Sequence, residues 1–116
     1  MLLARGPLVL FTDKDDSDQE FAFVGDVLPF LCQLRDAKGT VIDLTGCTMT
    51  LDVSGPAGTL LVTDLASTAL YDSDQVLFQI PATATTQVGV CKVTVRRTNG
   101  ATDIQTASKL LIVRAR

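Results

Sequence analysis

The chain has 116 residues, a formal net charge of −3, 47% hydrophobic and 20% charged residues, only 5% aromatics, and neither Trp nor His. That composition excludes a disordered chain and suits one globular domain able to bury roughly two thirds of its unfolded surface. A pI near 4.6 excludes the strongly basic character of a nucleic-acid-binding domain.

In chain order, "PLVLF" (7–11) reads as a strand that is apolar on both faces, Pro7, Val9 and Phe11 alternating with Leu8 and Leu10. "MLLARGPLVLF" is broken by Arg5, Gly6 and Pro7, which argues against a secretory signal. No apolar run approaches the ~18 residues of a membrane span. The acidic loop "TDKDDSDQE" follows. Asp13, Asp15 and Ser17 match the first alternating positions of an EF-hand, but Asp18 stands where that loop needs Gly and Val24 where it needs a bidentate Glu. The loop therefore reads as solvated acid, with no metal expected.

"FAFV" (21–24) is a short strand closing on a Gly25-Asp26 turn. In "LPFLCQLR" (28–35), Leu28, Phe30, Cys32 and Leu34 share one face. "DAKG" turns the chain at Gly39. The "DLTG" corner follows, with Asp43 capping the turn through its carboxylate, Leu44 plugging the core, and Gly46 supplying backbone freedom. "CTMTLDV" (47–53) places Cys47, Met49, Leu51 and Val53 on one face. "SGPAG" then turns into "TLLVT" (59–63), and 64–74 reads as polar and irregular. "QVLFQI" (75–80) is stopped by Pro81, and "ATATT" crosses between sheets. "VGVCKVTVRR" (88–97) sends Cys91, Val93 and Val95 inward and Lys92, Thr94 and Arg96 outward. Asn99-Gly100 in "TNG" suits a two-residue hairpin turn into a last strand ending "KLLIV". Seven or eight short strands at this spacing predict an all-β protein, a two-sheet antiparallel sandwich of the immunoglobulin-like kind.

The three cysteines form no CxxC, and with no His a zinc site has no ordinary ligand set. Cys32 and Cys91 both point inward on facing strands. They are read as free thiols, because the Trp that packs on an immunoglobulin inter-sheet bridge is missing and Gly89 stands where its corner Tyr would be. The absence of His also removes Ser-His and Cys-His pairs. Lys14, Lys38, Lys92 and Lys109 are expected in loops or on outward faces. No enzyme and no cofactor is expected.

Charge is segregated. Residues 91–116 hold Lys92, Arg96, Arg97, Lys109, Arg114 and Arg116 against Asp103 alone, net +5, while the rest of the chain is acidic. "LLIV" (110–113), like "PLVLF", is apolar on both faces, so both ends of the chain look covered on two sides. Either the termini cover each other, or residues 1–12 form an arm that pairs with a neighbour's edge. The expected interface residues are Leu8, Val9, Leu10, Phe11, Arg96, Arg97, Leu111, Val113, Arg114 and Arg116, with residues 1–20 as arm and acidic loop and 21–116 as the sandwich.

"GDVLPFLCQLRDAKGTVIDLTGCTMTLDV" (25–53), and more weakly "LFQIPATATTQVGVCKVTV" (77–95), resembles the immunoglobulin-like N-terminal domain of the phage upper-baseplate protein family. The resemblance lies in the order Gly-Asp, Gln-Leu-x-Asp, Gly-containing turn, Asp-Leu-Thr-Gly. It implies a non-enzymatic structural protein of a tailed-phage virion, in the baseplate or tail-fibre attachment region, present in multiple copies among other virion proteins, without nucleic acid or membrane. The alternatives are a capsid decoration or head-fibre protein, and a host-surface carbohydrate-binding module, for which Tyr71 is the only Tyr.

Overall fold

Alternation of apolar and polar side chains builds the long strands of this chain. The computed structural model describes residues 9–12, 19–35, 38, 40–67, 69–72, 75–100 and 103–116. Among them run nine strands: β1 Val9–Thr12, β2 Gln19–Phe23, β3 Leu28–Arg35, β4 Thr48–Ser54, β5 Leu60–Ala66, β6 Ala69–Asp72, β7 Gln75–Ile80, β8 Gly89–Asn99 and β9 Asp103–Arg114. In β3, β4 and β8 every second residue is buried, the period of a sheet with one face on the core.

The strands form two sheets, one in the order β1-β3-β7-β6 and the other in the order β2-β9-β8-β4-β5. All pairings are antiparallel except that of β2 with β9, which is parallel. Between the sheets lie Phe30, Cys32 and Leu34 of β3 and Val76, Phe78 and Ile80 of β7. They meet Leu51 and Val53 of β4, Cys91, Val93 and Val95 of β8, and Leu111 and Val113 of β9, all buried. Each large side chain so enclosed contributes about 1.5–3 kcal/mol relative to exposure. A 3-10 turn, Ala82–Thr85, carries the chain from β7 to β8 and buries Ala84 and Thr85.

Several expectations need correction. The stretch 64–74 is not irregular: β5 runs on to Ala66 and β6 occupies Ala69–Asp72, which raises the strand count to nine. Its polarity misled because both strands are sheet edges, where one side of the ladder is unpaired and polar residues are tolerated. The β8–β9 register pairs Asn99 with Asp103, leaving residues 100–102 between them, so the hairpin connection is longer than two residues. Cys47 precedes β4 and is only partly buried, because the turn closed by its N–H on the Leu44 carbonyl (3.1 Å) holds it off the strand. A boundary at residue 20 would cut through β2. Val9–Thr12 pairs antiparallel with β3 of its own chain, as an edge strand of the first sheet. The acidic stretch 13–18, Leu8 and Gly39 lie outside the described residues, as do the side chains of Val9, Leu10, Phe11 and Tyr71.

Candidate functional site

The two Asp-containing corners are structural. Asp43 Oδ1 accepts a hydrogen bond from the Thr45 N–H at 2.9 Å, Leu44 is buried, and Gly46 has φ +75°, a left-handed conformation costly for other residues. The hydrogen bonds from Thr45, with a smaller effect of the Arg97 charge, hold the Asp43 carboxyl below its ordinary range. At the other corner Asp26 Oδ2 accepts the Phe23 N–H at 2.9 Å, and the Asp26 carbonyl accepts the Thr85 hydroxyl at 2.9 Å. Arg116 closes this corner, bonding Asp26 Oδ1 and the Val24 carbonyl, the latter at 3.0 Å. Gly25 and Gly100 also adopt positive φ, as their turns require.

Of the expected interface residues, Leu111 and Val113 are core residues and cannot present a surface. Arg97 is buried too, donating to Gln105 Oε1 at 2.8 Å across the β8–β9 ladder. It shares the inward parity of Cys91, Val93 and Val95, which two consecutive arginines had obscured. Lys109 is likewise inward and 3% exposed, between Ala107 and Leu111 in parity, because "KLLIV" is apolar on both faces and period-2 reading cannot choose one. Arg96 is outward and joins a small ionic cluster. It meets Asp52 at 3.3 Å and Asp64 at 3.2 Å, and donates to the Thr50 hydroxyl at 3.4 Å. Asp64 has φ +54° in a β-bulge opposite Asp52, whose Oδ1 accepts the Asp64 N–H at 2.7 Å.

The outer face of the second sheet carries the feature that sequence reasoning did not name. Register aligns Phe21 of β2, Ile112 of β9 and Val90 of β8 in one cross-strand row. Phe23 and Leu110 lie in the adjoining rows. Phe21 is 47% exposed, Phe23 50%, Val90 52% and Leu110 38%. Two cations stand among them. The Arg114 guanidinium lies 4.6 Å from the centre of the Phe21 ring, and Lys92 faces outward beside Leu110. A shallow depression of about 270 Å³ adjoins the band, lined among the described residues by Lys92, Ser108, Lys109 and Leu110. The signal was present in the sequence. With Cys91 inward Val90 must face out, and the two-faced "LLIV" puts Leu110 and Ile112 outside once Leu111 and Val113 are inside.

Cys32 and Cys91 are buried free thiols on β3 and β8, one in each sheet. Burial pushes the Cys32 thiol up to about 12 and raises that of Cys91 as well. Among the described residues no group of three or more His, Cys, Asp or Glu side chains could hold a metal ion.

No protein-family model and no curated protein matches the chain. Solved structures do. The Lin-41 filamin domain superposes with a TM-score of 0.55 at 17% identity, over 90% of this chain and 91% of that one. CopC from Methylosinus trichosporium OB3b does so at 0.55 and 15% identity, over 93% and 94%. The fold is an immunoglobulin-like β-sandwich. At these identities the likeness concerns fold alone.

Proposed function

We propose that the protein is a non-catalytic docking module of a tailed-phage virion, placed in the baseplate or tail-fibre attachment region and working through protein–protein contacts. The observation that carries the docking part is the band of exposed Phe21, Phe23, Val90 and Leu110 around half-buried Ile112 on a sheet face, an apolar surface of the kind that marks an interaction site. The virion setting rests on the ordered turn pattern of residues 25–53. Immunogold labelling with an antibody to the folded domain, on particles from cells carrying the coding sequence, tests it. Label at the tail end is expected. Label distributed over the head would assign the protein to capsid decoration, and particles devoid of label would overturn the virion reading.

A further inference from the structure

Two cations stand inside the apolar band, and their charge bears on what it meets. The outward rows of β8 and β9 hold Val90, Lys92, Thr94, Arg96 and Thr98, and Ile104, Thr106, Ser108, Leu110, Ile112 and Arg114, with no carboxylate among them. Arg96 finds its counter-charges on the neighbouring strands, in Asp52 and Asp64, and Arg116 finds Asp26 at the corner. Lys92 and Arg114, the two cations inside the band, form no ion pair among the described residues. Among the described residues Arg96 and Arg116 are ion-paired, while Lys92 and Arg114 stand beside half-exposed aromatic and aliphatic side chains, an apolar surface that carries positive charge.

We propose that the outer face of β2, β9 and β8 docks a protein segment in which aliphatic or aromatic side chains alternate with carboxylates, the apolar groups covering Phe21, Val90 and Ile112 and the carboxylates meeting Arg114 and Lys92. A second copy presenting the same face is disfavoured, because it would set Arg114 and Lys92 against like charges. Two cations on a chain of net charge −3 fall short of the four to eight basic residues that hold a polybasic segment to an anionic membrane. The proposal rests on the reading of the protein as a docking module and not on its virion setting.

The test is a titration of ¹⁵N-labelled full-length protein, followed by amide shifts, with a synthetic peptide alternating glutamate with leucine and phenylalanine. Its lysine-for-glutamate counterpart serves as the control. Shifts confined to residues 19–23, 90–92 and 110–114, at least tenfold weaker with the lysine peptide and weakened by salt, are expected. Arg114→Glu combined with Lys92→Glu should lower the affinity at least tenfold while leaving the dispersed spectrum of the fold. Phe21→Ser should do the same; should it unfold the domain, Val90→Thr, a near-isosteric change at an exposed position, takes its place. Equal binding of the two peptides, shifts mapping elsewhere, or unchanged affinity in the charge-reversed variant overturns the proposal. So does preferential binding of phosphatidylglycerol vesicles, or a concentration-dependent dimer giving the same shift pattern without peptide. A charge-reversed variant that enters particles in normal amount removes this face but leaves the virion setting. Peptide binding by a protein absent from particles does the reverse.

Discussion

Cys32 keeps its proton because its thiolate would have to form between two sheets, away from water. The unfolded chain gives up that proton from pH 9.0, the ordinary thiol value, while the folded chain holds it to about 12. Across that window the unfolded state binds fewer protons than the native state, so folding stability declines as pH rises, and is undiminished below it. Denaturant melts between pH 8 and pH 11 should record this loss, and Cys32→Ala should reduce it, leaving the part that the raised Cys91 thiol contributes. The same burial governs reactivity. Native protein should show one rapidly modified thiol, Cys47, and two slow ones, and all three should react without reductant once the chain is denatured. Asp64 is a second residue whose surroundings set its tolerance. Its φ of +54° suits Gly or Asn and penalises a β-branched side chain. Asp64→Val should lose about 1–3 kcal/mol of stability. Asp64→Gly, which gives up only an exposed ion pair to Arg96, should stay within about 1 kcal/mol of the native protein in chemical denaturation.

At the scale of strands and turns, Gly89 fixes how β8 begins. Its φ is +140°, and a Cβ added there would lie 2.7 Å from Pro56 Cγ in the β4–β5 turn. Gly89→Ala should therefore destabilise the domain by about 1–3 kcal/mol. Part of that loss should vanish in a Pro56→Gly background, which removes the clash and leaves the backbone strain; equal losses in both backgrounds would deny the contact. This close approach was not legible in the sequence, where Gly89 marked only a missing Tyr. What was legible followed from period 2. β3 and β7 begin and end where their alternation and flanking turn residues place them, and Asp43, Leu44 and Gly46 do what Asp-Leu-Thr-Gly chemistry implies. Period 2 failed where both parities are apolar or both polar. "KLLIV" hid the inward Lys109, "RR" hid the inward Arg97, and the edge strand β6 was lost in a polar stretch. The exposed band on β2, β9 and β8 depends on register between distant strands, which no local pattern encodes.

For the whole molecule, the two sheets are joined at the front of the chain. β1 belongs to one sheet and β2 to the other, so both sheets gain a strand before the core strands begin. β2 then lies parallel to β9, with Gln19 opposite Leu110 and Phe23 opposite Arg114. Traction applied to the two ends of the chain would, once β1 has come away, slide β2 and β9 past each other along their length. Their hydrogen bonds are then loaded together, whereas strands entered from the same end open one bond at a time. Arg116, fastened to Asp26 and the Val24 carbonyl, sits on the same line of pull. Single-molecule stretching between the termini should therefore need a higher peak force than stretching between the N-terminus and a handle at residue 100, which unzips the same pair. Equal forces would show that β2 and β9 bear no tension. A domain strung between two neighbours by its ends would hold them against a tug more firmly than its equilibrium stability implies.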